Sequence, residues 1–188
     1  MKKLWIILAI IIILLAIGAG AWALWQANQP VKEETKQTDT SKQSSEQASQ
    51  LNSVTKPLTL YYVATEDNGI AGPMIGCGDS LVSHTTTPVT TTDIIKSSFE
   101  QLLSGKNQYI GQSGLYNALY QSDLTYVSST VAGDTVTVNL TGSLKLGGEC
   151  DSPRVEAQLE NTAKTAAGTT KAVINLNDKP LSESLSLN

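Results

Sequence analysis

The side chains in this 188-residue chain that could perform nucleophilic chemistry are two cysteines and one histidine. Cys77 and Cys150 are its only thiols, and His84 is its only imidazole. A thiolate near the start of a helix, with an imidazole as its base, would form a nucleophilic site. Glu149 and Asp151 flank Cys150, and adjacent negative charge disfavours the thiolate. A thiol enzyme that uses Cys150 is therefore the less favoured of the two interpretations of these cysteines.

The other interpretation of the cysteines is structural. An even number of cysteines in an exported domain favours a disulfide, and the chain's N-terminus argues for export, as described below. A bridge from Cys77 to Cys150 would close a loop of about 74 residues, which the chain-entropy model values at about 4.4 kcal/mol. We predict this disulfide, with free thiols as the open alternative and with no catalytic residue assigned.

Three acidic residues near the cysteines could hold a cation. Asp79, Glu149 and Asp151 carry carboxylates that Ca²⁺ could bind, helped by carbonyls of the surrounding glycine-rich segments. The sequence has no EF-hand spacing and no Cys/His zinc motif. We therefore predict no metal site and no cofactor, and a small-ligand or cation-binding module stays as a second alternative function.

The N-terminus predicts a membrane anchor. Residues 1–3 include two lysines and would stay in the cytoplasm, and residues 4–25 form an uncharged, mostly apolar run. A helix over that run would be about 33 Å long, enough to cross a hydrocarbon core of about 30 Å. Tryptophans near both ends suit the two membrane interfaces. A cleaved secretory signal ending at the "AWA" of residues 21–23 is the alternative, and both interpretations export the rest of the chain.

The remaining chain divides into a tether and one domain. Residues 26–56 are dominated by Gln, Ser, Thr, Lys and Glu, and such a segment is predicted to be a disordered linker. Residues 57–188 are long enough for one compact core. They carry seven basic and thirteen acidic side chains, a net charge of −6, which gives no electrostatic reason to bind nucleic acid.

The domain's strands and helices are predicted from two patterns: strands from alternating apolar and polar residues, and helices from apolar residues three or four positions apart. "LTLYYVAT" and "SLVSHTTTPVT" are predicted strands, separated by a glycine-rich loop, and "LTYVSSTVAGDTVTVNLTGSL" is predicted to be a β-hairpin. "KAVINLNDKPL" supplies a last strand and a turn. Two helices interrupt this order. The sequence thus predicts an α+β fold, a small two-layer sandwich with a mostly antiparallel sheet and two helices.

Both predicted helices have apolar faces and recognisable ends. The first should begin after Asp93 as its cap, and it presents Ile95, Phe99, Leu102 and Leu103 on one face. The second is expected to have Ser152 as its cap and Pro153 at its first position. Its apolar face carries Val155, Leu159, Ala163 and Ala166, and Gly168 should end it.

The order and spacing of these segments resemble the GerMN domain of bacterial sporulation and spore-germination envelope proteins. The resemblance covers most of residues 58–181, from "LTLYYVAT" through "DIIKSSFEQLLSG", "GLYNAL", the hairpin and "GGECDSPRVEAQ" to "NDKPL". It implies a fold similar to ring-building-motif domains and a role in binding or assembly outside the cytoplasm. It brings no catalytic residues. One domain copy, a helical anchor in place of a lipid anchor and the two cysteines depart from the family pattern.

These observations together predict a non-enzymatic binding or assembly domain of the cell envelope, on a single-pass membrane protein whose C-terminal domain is extracytoplasmic. The partner is expected to be another envelope protein, and homo-oligomerisation follows by analogy alone. Partly exposed tyrosines are common in contact surfaces. Tyr109, Tyr116 and Tyr120 are the candidate contact surface, and packing of these rings into the core is the alternative.

Overall fold

The computed structural model of this protein describes residues 53–186. The predicted membrane helix at residues 4–25 and nearly all of the predicted linker at residues 26–56 lie outside the described residues. Within residues 53–186, no helix combines the length and the apolar character that a membrane crossing requires. The first strand begins at Val54, so it takes up the last residues of the stretch predicted as linker.

The first sheet has four strands, whose bounds are Val54–Ala64 for β1, Ser80–Thr91 for β2, Tyr109–Ile110 for β3 and Leu115–Tyr116 for β4. Their order is β2-β1-β4-β3, and all neighbours are antiparallel. β1 and β2 form the predicted strand pair around the glycine-rich loop. β1 begins early because its first residues pair with the end of β2, from Val54 opposite Thr91 onward.

The second sheet has the order β5-β6-β7-β8, with bounds Asp123–Ala132, Thr135–Ser143, Lys171–Leu176 and Lys179–Pro180. β5 and β6 are the predicted hairpin, and Val136, Val138 and Leu140 of β6 are buried as their alternation predicts. β6 and β7 are parallel, because the chain crosses between them through a helix. The predicted strands are thus split between two sheets, and the second sheet is mixed.

Three helices complete the domain: α1 at Ile94–Ser104, α2 at Asp151–Ala167 and the short α3 at Leu181–Ser186. Asp93 caps α1 as predicted, since its carboxylate accepts a hydrogen bond from the Lys96 amide. Gly168 ends α2 in a left-handed conformation, also as predicted.

The predicted start of α2 is wrong by two residues. Cys150 occupies the N-cap position and makes no side-chain capping bond. The hydroxyl of Ser152 instead donates to the carbonyl of Leu185 in α3. Asp151 accepts a hydrogen bond from the Gly147 amide just before the helix, so a residue inside the first turn ties down the preceding chain.

One hydrophobic core joins both sheets to the two long helices. Phe99 and Leu102 of α1 and Val155, Leu159 and Ala163 of α2 are fully buried in it. Leu103 of the predicted α1 face is also buried. Ile95 of α1 and Ala166 of α2 are only partly buried. The core therefore holds α2 against both sheets, and this packing fixes the position of the first turn of α2.

Candidate contact surface

The two cysteines are joined. Cys77 and Cys150 form a disulfide with their Cα atoms 5.8 Å apart, across 73 positions of sequence. Cys77 has a left-handed backbone with φ of 63° and lies in the loop before β2, and Cys150 is the residue before α2. No free cysteine is present among the described residues. The thiol that the enzyme alternative requires is therefore bonded in this structure.

The histidine takes part in strand packing. His84 lies in the middle of β2, opposite Leu60 of β1. Its ring stands edge-on to the ring of Tyr62, with 5.9 Å between the centroids. This is the contact of a strand residue at the border of the core.

The loop between β1 and β2, residues 65–79, is held by its own polar groups. Asp67 accepts hydrogen bonds from the Ser80 hydroxyl and from the Ala71 amide, and these bonds lower the pKa of its carboxyl. The Asn68 amide donates to the Gly78 carbonyl at 2.8 Å. A side chain at Gly72 would clash with the carbonyl oxygen of Leu81, so the loop lies directly against β2.

Although its backbone is fixed, the loop presents apolar side chains to solvent. Ile70 is 86% exposed, and Met74 is also exposed. Glu66, Asn68 and Cys77 adopt left-handed conformations without being glycine. Such conformations persist where the surrounding contacts enforce them, and they concentrate at functional sites. Ile70 is therefore exposed on a loop whose backbone is held by hydrogen bonds.

Arg154 connects this loop to α2. Its Nε donates to the Asp79 carboxylate at 2.5 Å, and its Nη1 donates to the Asp151 carboxylate at 3.2 Å. Asp79 is fully buried and also accepts from the Glu66 amide. Burial of the guanidinium would lower the pKa of Arg154, but the hydrogen bonds and charges of the two aspartates outweigh it, so the pKa of Arg154 is raised.

The three carboxylates considered for a cation have different surroundings in this structure. Two of the three carboxylates proposed for it, Asp79 and Asp151, bind the Arg154 guanidinium. Glu149, the third, is exposed. No group of three or more His, Cys, Asp or Glu side chains that could hold a metal ion occurs in residues 53–186.

The predicted tyrosines form a row of rings beside Arg154. Tyr116 lies between Tyr109 and Tyr120, with ring centroids 6.0 and 6.1 Å away. The Arg154 guanidinium lies 5.1 Å from the Tyr116 ring centroid, within cation–π range. The Tyr116 hydroxyl donates to the Asp151 carboxylate, at 3.0 and 3.1 Å from its two oxygens. Burial, followed by the charge of Asp151, raises the pKa of Tyr116.

The three tyrosines differ in accessibility. Tyr116 is buried, Tyr120 is half-buried, and Tyr109 is 57% exposed. Tyr116 thus packs beneath the surface, whereas the ring of Tyr109 is accessible from solvent.

The segment after Tyr116 is fixed by two buried amides that the sequence analysis did not single out. Gln158 of α2 accepts from the Ala118 amide at 3.1 Å and donates to the Asn117 side-chain oxygen at 2.9 Å. Asn117 in turn donates to the Gly105 carbonyl at 2.9 Å. Sequence reasoning also missed Arg154, although an arginine three residues after an aspartate in a helix is a local sign of an ion pair.

We call this region the braced corner, and we define it as the loop at residues 65–79, the first turn of α2 at residues 151–154 and the tyrosines. Its two buried carboxylates, Asp79 and Asp151, both bind the Arg154 guanidinium. Its exposed side chains include the large apolar or aromatic Ile70, Met74 and Tyr109, together with Thr65, Glu66 and Asn68. Its exposed apolar and aromatic side chains make this region a candidate contact surface.

Comparisons with known proteins found a matching family and a similar solved structure. The family described as "Germane: Sporulation and spore germination" matches residues 59–182, more than half of the chain. Among solved structures, the chain is similar to the tandem GerMN domains of the sporulation protein GerM from Bacillus subtilis, with 18% sequence identity and a TM-score of 0.46. That match covers 78% of this chain and 43% of the GerM chain. No curated protein matches the chain.

Proposed function

This chain belongs to the Germane family of sporulation and spore germination domains, and from that premise we propose that it is a non-catalytic binding module of the bacterial cell envelope. In this proposal the braced corner is its contact surface. An N-terminal helix at residues 4–25 anchors the chain in the membrane, and the following linker holds the domain outside the cytoplasm.

One observation carries the binding role: Arg154 is bound on two sides by Asp79 and Asp151, and Asp151 is bound by Tyr116 as well. Charged groups engaged in this way are poorly placed to serve as an acid, a base or a nucleophile. They are well placed to hold a surface rigid, and rigidity before binding reduces the entropy lost on association. Tyr109 and Ile70 are residue types that act as anchors when they enter a partner's pocket.

The location outside the cytoplasm is supported by the disulfide and by the sequence of the anchor. Disulfides persist in oxidising compartments and are rare in reducing ones. Cys77 is exposed, so a cytoplasmic reductant could reach the bond between Cys77 and Cys150. We therefore place the domain on the outer side of the membrane, with a protein of the envelope as its partner.

Site-specific photocrosslinking of the full-length chain in intact cells tests the contact surface. A photoreactive phenylalanine analogue at Tyr109 should give a discrete adduct with an envelope protein. The same analogue at Val173, which is exposed on β7, is the matched control and should give none. The adduct should disappear when Ile70→Ser is added. Equal adducts from both positions, or none from Tyr109, would contradict the proposed surface.

A protease experiment tests the location separately. Protease added to intact cells should digest residues 57–188 and leave a membrane-bound N-terminal fragment. If the domain is protected until the cells are lysed, the extracytoplasmic assignment fails, whatever the crosslinking shows.

A further inference from the structure

The two sheets have four edge strands, and they differ in how well they are protected against pairing with another chain. β3 and β8 are only two residues long. The edge of β2 is covered at one end, because the Leu81 amide donates to the Pro73 carbonyl and Met74 bridges to Ser80. Pro88, near the other end of β2, has no amide hydrogen to donate to an added strand. β5 is the remaining edge.

β5 has ten residues and few of the features that protect edge strands. It contains no proline and no lysine, and its only charge is Asp123 at its first position. A register shift between Tyr126 and Ser128 is its one irregularity. Val127 and Val131 are both more than half exposed. An edge of this kind is a template for an additional strand.

The sequence of β5 points to the strand that fits. Residues 127–131 read Val-Ser-Ser-Thr-Val, which is nearly the same in both directions. We infer that β5 pairs antiparallel with β5 of a second copy of this chain, about a two-fold axis at Ser129. This pairing places Val127 of each copy opposite Val131 of the other, and Ser128 opposite Thr130. The contact is self-complementary, as a two-fold interface must be.

Charge favours the same pairing. Residues 57–188 carry a net charge of −6, so two copies repel each other over most surfaces. In the proposed register, Ala132 at the end of β5 lies opposite Tyr126 of the other copy, and Asp123 lies outside the paired residues 126–132, which carry no charge. No like charges come opposite one another. β5 is thus an edge along which two acidic domains can approach, and this inference does not depend on the proposed function of the braced corner.

A cysteine at the axis tests the pairing. Ser129→Cys in the full-length chain places the two new thiols opposite each other, at a Cα separation of about 4.5–5.5 Å that a disulfide can span. Mild oxidation should give a dimer on a non-reducing gel. Ser113→Cys, in the exposed turn between β3 and β4, is the matched control and should stay monomeric. A monomer from Ser129→Cys, an equal dimer from both variants, or a crosslink to a different protein would each overturn the inference.

Two double variants with charged residues at positions 127 and 131 distinguish an effect on the interface from an effect on folding. Val127→Lys with Val131→Lys in one chain places lysines opposite lysines, and should lower the crosslinked fraction of the Ser129→Cys chain by about tenfold or more. Val127→Lys with Val131→Glu places each lysine opposite a glutamate and should restore crosslinking. If both double variants behave alike, the proposed register is wrong.

Discussion

Arg154 in the first turn of α2 and Asp79 at the end of the loop before β2 form an ion pair across 75 positions of sequence, with 2.5 Å between the arginine Nε and the carboxylate. The side chain of Arg154 is 16% exposed, whereas Asp79 is fully buried. The disulfide between Cys77 and Cys150 joins the same two segments two residues before Asp79 and four residues before Arg154. Covalent and ionic links thus hold one loop against one helix.

Removing the guanidinium should be costly. Arg154→Met leaves Asp79 and Asp151 without their cation, and uncompensated buried charge is strongly destabilising. We expect the free energy of unfolding to fall by about 3 kcal/mol, the lower end of the range for buried pairs because Arg154 is partly solvated. Urea unfolding of the domain measures this change. The matched control is Lys96→Ala, which removes an exposed pair with Glu100 and should cost under about 1 kcal/mol.

A second variant isolates the pair itself. Asp79→Asn alone and together with Arg154→Met completes a double-mutant cycle, which gives the coupling energy between the two side chains. Additive effects of the two substitutions would show that the ion pair does not brace the loop.

The disulfide should add stability without being needed for the fold. The double substitution Cys77→Ser/Cys150→Ser is expected to lower the free energy of unfolding by about 2–4 kcal/mol. Far-UV circular dichroism should stay native in the absence of urea, because Arg154 still binds Asp79 and Asp151. Unfolding of the wild-type chain with and without a reductant gives an independent value. Loss of the native spectrum on reduction would contradict this division of roles.

Alkaline pH should destabilise the domain partly through Tyr116. Burial and Asp151 raise the pKa of Tyr116 in the folded chain, so above about pH 10 the unfolded chain releases this proton first. The free energy of unfolding therefore falls as the pH rises past that value. Tyr116→Phe should make this fall shallower. Tyr62, whose pKa burial also raises, should account for a further part, which Tyr62→Phe removes. Identical slopes in the wild type and in Tyr116→Phe would contradict the assignment.

The buried side-chain amide of Gln158 should contribute to the stability of the domain although it carries no charge. Gln158→Met keeps a similar volume but leaves the Ala118 amide and the Asn117 oxygen without this partner. The Asn117 oxygen still accepts from the Leu119 amide, so the Ala118 amide is the group that loses its partner. An unsatisfied buried group costs about 1–3 kcal/mol, and we expect a loss in that range. Glu156→Gln, at an exposed position on the same helix, is the control and should change stability by less than about 0.5 kcal/mol. Equal effects in the two variants, measured by urea unfolding, would rule out the network.

Local patterns alone determined most of the elements of this fold. The spacing of Phe99, Leu102 and Leu103 and the cap at Asp93 predicted α1, and the alternation of Val136, Val138 and Leu140 predicted the buried face of β6. These signals involve residues within one or two turns or along one strand, so they are complete within a short stretch of chain. The pairing of Cys77 with Cys150 could also be predicted from the sequence, because the chain has only two cysteines.

The tertiary structure alone decided the arrangement of the site. Nothing near Asp79 in the sequence indicates that Arg154 will bind it, and the same carboxylate was an equally good cation ligand on composition. Tyr116 and Tyr109 are alike as residues, yet the antiparallel pairing of β3 with β4 and the position of α2 bury one and expose the other. Burial and long-range pairing arise only when distant segments pack together, and a linear pattern carries no record of which segments those are.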